Sequence, residues 1–250
     1  MKISFVIPLH NEEKNAKRVI ERVIVFASSK NWHFEIIPVD DRSSDGTKKI
    51  LQTVAKKNSN VKPIYRKKDN SEKGNTMGES LIDGTSNASG EIIIWTMGDL
   101  ADDPKTFGDI VKKIYSGYDV VFGSRYMPGG SRGNLDPFKA FLSSWGTLLA
   151  RLFFGIKVHD ITNAFRGFKK EVFSSFQLES GGFSISPEFA IKAHLAGFKL
   201  GEVPTIYNNR VEGISNFKLY KMTRSYLAVY FSLFYKYKIS RNSSIQATHF

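Results

Sequence analysis

Apolar and polar positions follow two different periods along the first half of the chain. Short apolar, β-branched runs predict strands over residues 3–8, 34–39, 61–65, 91–95 and 119–123. Between these runs, apolar residues recur every three or four positions and predict helices over residues 11–29, 47–57, 74–87 and 104–115. This alternation predicts an α/β fold with a mainly parallel central sheet that is flanked by helices.

The second half of the chain has a less regular pattern. It predicts a mostly apolar helix over residues 138–154, a short helix over 187–196 and a strand over 199–207. A further helix over 222–238 is rich in Tyr and Phe, and the polar residues 241–250 predict a loose tail. We therefore expect a main domain over residues 1–217 and a basic, aromatic helical extension over 218–250.

The composition excludes several classes of protein. The 250 residues include no cysteine, which excludes a disulfide scaffold, thiol catalysis and zinc held by cysteine. The first apolar run is too short for the core of a signal peptide. No stretch approaches 20 apolar residues, so we expect no membrane-spanning helix.

The positive charge is concentrated in the second half of the chain. The first 125 residues carry 20 Lys and Arg against 17 Asp and Glu, and the last 125 carry 16 against 7. A basic surface is typical of proteins that meet nucleic acid, a phosphate-bearing substrate or an anionic membrane. Since the chain has no nucleic-acid recognition motif, we expect no nucleic-acid partner.

Three polar clusters directly follow predicted strands, at residues 8–12, 40–45 and 99–103. In open parallel sheets, ligands bind outside the carboxyl ends of the strands. The three clusters are therefore expected to converge on one site.

Four sequence motifs, of which two overlap these clusters, resemble those of the inverting family 2 glycosyltransferases of GT-A fold. They are Val-Ile-Pro-Leu-His-Asn-Glu at 6–12, Val-Asp-Asp-Arg-Ser-Ser-Asp-Gly-Thr at 39–47, Gly-Ser-Arg-Tyr at 123–126 and Gly-Gly at 129–130. Their order and spacing are most similar to the polyprenyl-phosphate or dolichyl-phosphate mannose and glucose synthases. The resemblance implies a GT-A fold and transfer of a hexose, with inversion, from a nucleotide sugar of the GDP-mannose or UDP-glucose type to a polyprenyl or dolichyl phosphate.

The resemblance also assigns residues to the nucleotide sugar. His10 stands where the family usually has Tyr, and Glu72 replaces a Gly in the segment 70–74. Asp45 is expected either at this site or as a helix cap. The expected donor-binding residues are Pro8, His10, Glu12, Asp40, Asp41, Lys73 and Gly98.

A divalent cation, Mg²⁺ or Mn²⁺, is expected at Asp99. The family pattern Asp-x-Asp is here Met97-Gly98-Asp99, and a thioether is a poor ligand for a hard cation. A single carboxylate is still workable, because Mg²⁺ often keeps several waters. Asp102 and Asp103 lie nearby, although Asp103 directly precedes a helix and is a candidate cap.

The remaining expected site residues contact the acceptor and the sugar. The acceptor phosphate is assigned to Arg125, Arg132, Arg210 and Lys218, and the sugar pocket to Asp160 and Glu188. The expected catalytic residues are Asp99, Arg125 and Arg210. If the acceptor were a saccharide hydroxyl instead, a general base would be needed, and Asp102 or Asp103 would be the first candidates.

Two helices raise the question of a membrane. The aromatic, basic helix over 222–238 fits a helix that lies in the bilayer interface, and residues 138–154 offer a second apolar surface; ordinary core helices are the alternative. We expect peripheral contact with an anionic membrane on its cytoplasmic face. A non-catalytic binding module of the same fold is the competing interpretation, motivated by Met97, Glu72 and Asn216.

Overall fold

A computed structural model of the protein describes residues 1–67, 76–208 and 219–246, with the side chains of the last segment described over 222–237. Within these residues, helices and strands alternate along most of the chain. In chain order the elements are β1 (Lys2–Leu9), α1 (Ala16–Ser29), β2 (His33–Asp40), α2 (Thr47–Lys57), β3 (Ile64–Tyr65), α3 (Met77–Ser86), β4 (Ile92–Trp95), α4 (Lys105–Tyr115), β5 (Val120–Ser124), α5 (Pro137–Phe154), β6 (Arg166–Lys169), α6 (Lys170–Ser174), α7 (Ile185–Leu195), β7 (Leu200–Pro204) and α8 (Leu219–Gln246).

The strands form one seven-stranded sheet in the order β3-β2-β1-β4-β6-β5-β7. All neighbouring pairs are parallel except those made by β6, which is antiparallel to both β4 and β5. Seven of the eight residues are buried in each of β1 and β2, because helices cover both faces of the sheet. The predicted α/β fold with a mainly parallel sheet is confirmed.

The strand β6 was missed in the sequence. Its four residues, Arg-Gly-Phe-Lys, carry two charges and no β-branched side chain, so they lack the pattern of a buried strand. Trp95 at the end of β4 pairs with Arg166 at the start of β6. The loop that precedes β6 therefore lies at the same edge of the sheet as the carboxyl ends of the parallel strands.

Two predicted boundaries were wrong for local reasons. The first helix begins at Ala16 and not at residue 11, because Asn11 has a left-handed backbone with φ of 55°. Asn11 instead joins two loops: its amide donates to Ser43 Oγ at 2.9 Å, and its Oδ1 accepts from the Ser44 amide at 2.8 Å. The third strand is short, since Val61 makes only an isolated bridge to Ile36.

The sheet separates two apolar cores. One core lies under α1, α2 and α4, and the other under α3, α5, α7 and α8. In the second core Trp95 contacts the rings of Phe168 and Phe189, each with a centroid distance of 5.2 Å. The C-terminal helix α8 is part of this core, since buried Tyr230 donates to the Gly146 carbonyl of α5 at 2.9 Å.

Candidate active site

A cavity of about 600 Å³ opens at the carboxyl edge of the sheet. It is lined by residues from the loops after β1, β2, β4 and β5, and from the loop before β6. Among the residues assigned from the sequence, those on the cavity wall are Pro8, His10, Glu12, Asp41, Gly98, Asp99 and Arg125. Asp40, Arg132, Asp160 and Glu188 are described but are not on this wall, and Lys73, Arg210 and Lys218 lie outside the described residues.

The loop after β1 is held by its neighbour after β2. His10 Nδ1 lies 2.7 Å from the Asp41 carbonyl oxygen, so this nitrogen carries the proton and donates. The amide of Glu12 donates to Thr47 Oγ1 at 2.9 Å, and its carboxylate accepts from Asn15 Nδ2 at 2.7 Å. Asp45 lies on the cavity wall and also accepts from the Thr47 amide at the start of α2 at 3.0 Å.

The carboxylate of Asp41 is buried in a network of cationic and polar donors. It accepts from Arg42 Nε at 3.1 Å and from Arg66 Nη1 at 2.9 Å. It also accepts from the amide and hydroxyl of Thr76 at the start of α3. Asp40 is turned away from the cavity and accepts from the Ser43 amide. Asp41 therefore joins the loop after β2 to α3, where both border the cavity.

The turn after β4 presents Asp99 to the cavity. Gly98 is buried against β1, and a Cβ there would lie 2.4 Å from Leu9 Cδ2, so only glycine lets this turn approach so closely. Asp99 Oδ1 accepts from the Ala101 amide at 3.1 Å. Asp102 supports the turn from below, with Oδ2 accepting from Thr96 Oγ1 at 2.9 Å and the Met97 amide at 2.8 Å.

Burial, together with the nearby Asp99 charge, raises the pKa of Asp102 to about 7. These two effects outweigh the hydrogen bonds from Met97 and Thr96, which lower the pKa. Asp103 caps α4, accepting from the Lys105 amide at 3.0 Å. Neither of these two aspartates is on the cavity wall.

The described residues contain no group of three potential metal ligands of the His, Cys, Asp or Glu type. A hard cation held mainly by phosphate oxygens and water needs only one or two protein carboxylates. Asp99, half-buried on the wall of a cavity large enough for a nucleotide, fits that need. The thioether of Met97 is a poor ligand for a hard cation. The residues present therefore fit a cation that is held by Asp99 together with the phosphate oxygens of a substrate.

Arg125 is fixed by a fully buried carboxylate. Its Nε donates to Asp160 Oδ2 at 2.7 Å and its Nη2 to Asp160 Oδ1 at 3.0 Å. Although burial alone would lower it, the pKa of Arg125 is raised above its ordinary value because Asp160 stabilises the cation. Nη2 also donates to Ser143 Oγ at 3.0 Å, so Arg125, Ser143 and Thr162 form one polar group on the cavity wall.

Asp160 and Glu188, which were assigned to the sugar pocket, are both absent from the cavity wall. The Glu188 carboxylate is buried and accepts from the amides of Glu179 and Ser180, each at 2.8 Å, and from Lys192 Nζ at 2.6 Å. Both carboxylates hold neighbouring parts of the chain in position. Arg132 is exposed on the surface.

Arg166 supports the cavity wall from beneath. It is fully buried and donates to the backbone carbonyls of Ile161 and Asn163 before β6 and of Ser186 in α7. Its guanidinium lies over the rings of Trp95, Phe122 and Phe189, and burial lowers its pKa to about 9. Arg166 therefore ties together two segments that line the cavity.

Sequence patterns did not identify several wall residues, among them Ser80, Ser143 and Tyr226. All three lie on helices, where their spacing is not distinctive. The segments 160–166 and 184–188, which resemble segments that shape the sugar pocket in the family, do contribute Thr162, Asn163 and Ser186 to the wall.

A second, smaller cleft of about 150 Å³ lies between α5 and α8 and is almost entirely apolar. It shares Met222 and Tyr226 with the main cavity. Beside it, α5 and α8 expose a set of large apolar side chains, which are Phe138, Phe141, Trp145, Leu148, Leu152, Leu227, Phe231 and Tyr235. Within the described residues, no helix has the length and apolar character needed to cross a membrane.

Comparison with curated proteins identifies relatives across most of the chain. A dolichol-phosphate mannosyltransferase from Pyrococcus furiosus is 32% identical over 221 residues, which are 87% of this chain and 60% of the relative, so the chain spans less than two thirds of that protein. A polyprenol monophosphomannose synthase from Mycolicibacterium smegmatis is 26% identical over 216 residues, covering 84% of this chain and 78% of that one.

Comparison with solved structures places the fold among known ones. A glucosyl-3-phosphoglycerate synthase from Mycobacterium tuberculosis, in complex with Mn²⁺, UDP and phosphoglyceric acid, has a TM-score of 0.69 at 20% identity. The match covers 93% of this chain and 78% of that one. At this identity the likeness concerns the fold, and it confirms the predicted GT-A architecture. Residues 4–176 match the family described as Glycosyl transferase family 2. The chain therefore belongs to glycosyl transferase family 2.

Proposed function

We propose that the chain transfers a hexose, with inversion, from a nucleotide sugar to a polyprenyl or dolichyl phosphate. The observation that carries the proposal is that one cavity has both Asp99 and the Arg125 group on its wall. A carboxylate that attracts a metal–diphosphate and an arginine that attracts a second phosphate are the two charges that such a reaction requires. The names of the two curated relatives support mannose as the sugar, with GDP-mannose as donor and UDP-glucose as the alternative.

In this proposal the nucleotide lies against the loops after β1 and β2. Pro8, His10 and Glu12 line that part of the cavity, and Asp41 lies at its border. Asp99 holds Mg²⁺ or Mn²⁺, which neutralises the departing nucleotide diphosphate when it is bound. The structural neighbours include a glucosyl-3-phosphoglycerate synthase with Mn²⁺ and UDP and another with Mg²⁺ and UDP, which supports a divalent cation here.

The acceptor phosphate lies against the Arg125 group. The described contacts of Arg125 occupy its Nε and Nη2, so Nη1 is available to the ligand. A phosphate monoester has a second pKa of about 6 and is already anionic at neutral pH, so its oxygen needs no general base to attack the anomeric carbon. Arg125 orients that oxygen on the face opposite the leaving diphosphate, which inverts the configuration.

Arg210 and Lys218, outside the described residues, are proposed to add charge to the acceptor site together with exposed Arg132 at its margin. Lys73 is proposed to meet the donor phosphates.

The apolar cleft between α5 and α8 supports a lipid acceptor. Met222 and Tyr226 line both this cleft and the main cavity, and in this proposal an isoprenoid chain attached to the phosphate extends from the cavity into the cleft. The exposed apolar side chains beside the cleft, with Arg224 and Lys236 on α8, suit the interface of an anionic bilayer. We propose peripheral association with the cytoplasmic face of a membrane. We also propose that the chain consists of a main domain, residues 1–217, and a helical extension, residues 218–250, that contributes to this association.

A saccharide hydroxyl as acceptor is less well supported, because it would need a general base. Asp102 has a raised pKa but lies under the turn, bonded to Thr96 and Met97, and Asp103 caps α4. A non-catalytic module would bind the nucleotide without turnover, and the donor screen described next distinguishes it from an enzyme.

The experiment is a donor screen with purified protein, Mg²⁺ or Mn²⁺, a polyprenyl phosphate and radiolabelled GDP-mannose or UDP-glucose. We expect an organic-extractable, mild-acid-labile product from one donor. Asp99→Asn should abolish turnover, and Asp103→Asn, which alters a helix cap close in sequence, should retain it. Absence of extractable product with every common nucleotide hexose would refute the lipid-phosphate acceptor, and full activity of Asp99→Asn would remove Asp99 from the site.

A further inference from the structure

The hydroxyl of Ser80 is a buried polar group on the cavity wall. Ser80 lies on α3, has no exposed surface and lines the cavity. Its Oγ makes no hydrogen bond with any residue that the structure describes. Since buried hydroxyls in proteins are nearly always bonded, an unbonded one that faces a cavity points to a missing partner in that cavity.

Local geometry offers Ser80 an ordinary partner that it does not use. A serine inside a helix commonly returns its hydroxyl to the carbonyl four residues earlier, and for Ser80 that carbonyl belongs to Thr76. Among the residues that the structure describes, the Thr76 carbonyl oxygen accepts only from the Ser80 amide, at 3.0 Å. One turn further along the same helix, Thr85 does make the return bond, to the Leu81 carbonyl at 2.6 Å, and also accepts from Trp95 Nε1 at 2.8 Å. Of these two buried hydroxyls on one helix, that of Thr85 has hydrogen-bond partners within the protein and that of Ser80 has none among the described residues.

The helix that carries Ser80 is fixed at both ends. At its start, Thr76 donates to Asp41, and the Gly78 amide donates to the Gly181 carbonyl at 2.9 Å. Near its end, Gly84 lies so close to the sheet that a Cβ would be 2.4 Å from Val6 Cγ1. The backbone that carries Ser80 is therefore held in position before any ligand enters.

The surroundings of Ser80 on the cavity wall indicate the chemistry of the partner. The cavity wall includes Met77 on α3 and, from the same apolar core, Met97 and Phe183, which have no charge to offer a phosphate. A hydroxyl that both donates and accepts is suited to an uncharged alcohol or carbonyl group. We propose that Ser80 Oγ hydrogen-bonds an uncharged group of the donor, a sugar hydroxyl or a base carbonyl, and selects among donors. This inference rests on the proposed function.

Calorimetric titration tests the inference with wild type, Ser80→Ala and Thr85→Ala, in the presence of Mg²⁺. The ligands are GDP, UDP, GDP-mannose and UDP-glucose. For the ligand that wild type binds best, Ser80→Ala should raise Kd by about fivefold or more, the value of one hydrogen bond. Its thermal midpoint without ligand should not fall, because no internal bond is lost. Thr85→Ala should lower the midpoint and leave Kd within twofold.

The ligands separate the two possible sources of the partner group. If Ser80→Ala raises the Kd of the free nucleotide, GDP or UDP, Ser80 contacts the base or ribose. If it raises the Kd of the nucleotide sugar but not that of the free nucleotide, Ser80 contacts the hexose. Equal Kd values for Ser80→Ala and wild type overturn the inference while leaving the proposed function intact. A wild-type protein that binds none of the four ligands contradicts the proposed function, and this inference with it.

Discussion

The pair formed by Arg125 and Asp160 gives the sharpest test of what holds the site together. The substitution Asp160→Asn keeps the size of the side chain, so it opens no cavity, but it removes the negative charge. The side chains of Arg125 and Asp160 are 9% and 0% exposed, so water compensates little for the lost charge. Removing one member of a buried ion pair costs about 3–5 kcal/mol, because the other charge stays buried and uncompensated.

For a chain of this size, that loss corresponds to a fall of about 6–20 °C in the thermal midpoint. The loss of free energy of unfolding is measured by urea unfolding, monitored by circular dichroism, and the dependence of that free energy on urea concentration (the m-value) should not change. Glu21→Gln serves as the control, since it breaks a Lys17–Glu21 pair whose side chains are 64% and 54% exposed. That change should cost less than about 0.5 kcal/mol. A loss below about 1 kcal/mol for Asp160→Asn would show that Arg125 does not depend on Asp160.

Three further outcomes follow from the structure. Burial raises the pKa of Glu35, but hydrogen bonds from Lys2, Lys62, Ser89 and Ser4 outweigh it and hold the pKa well below its ordinary value of 4.5; the stabilisation is therefore complete above that value and is lost as the pH falls below it. Unfolding measured from pH 7 to pH 3 should show Glu35→Gln less stable than wild type at neutral pH, with a difference that shrinks below pH 4.5; a constant difference would contradict the ionic account. Gly84→Ala should cost about 1–3 kcal/mol by forcing α3 away from β1, measured by urea unfolding, and an unchanged midpoint would contradict the close approach. Chelation by EDTA should abolish transfer and added Mn²⁺ or Mg²⁺ should restore it, and transfer that persists in EDTA would exclude the proposed cation.

Sequence patterns predicted the elements that are long and regular. The helix α2 begins and ends where its apolar spacing indicates, and each of the five apolar runs of the first half contributes a strand to the sheet. These elements bury one face or both, so their pattern is set by the core. The strand β6 could not be found this way, because its place depends on pairing with β4 and β5 and not on its own composition.

The candidate site was predictable to the extent that it follows strand ends. The end of β1 and the loops after β2, β4 and β5 contributed Pro8, Asp41, Asp99 and Arg125 to the cavity wall, as parallel topology requires. The role of Asp160 could not be decided from the sequence, because an aspartate that binds a sugar hydroxyl and an aspartate that pairs with an arginine are the same residue type. Ser80 could not be recognised either, since a missing hydrogen bond is visible only in three dimensions.

The position of β6 between β4 and β5 has a consequence for the order in which the chain folds. The strands β1 to β4 can associate as soon as residue 95 has been synthesised, but β4 then ends the sheet with an open edge. That edge is closed only by residues 166–169, after β5 and the whole of α5 have been made. An exposed apolar edge is a template for association with other chains. A chain truncated before residue 166 should therefore aggregate, and a ribosome-bound chain is most vulnerable while these 70 or so residues emerge.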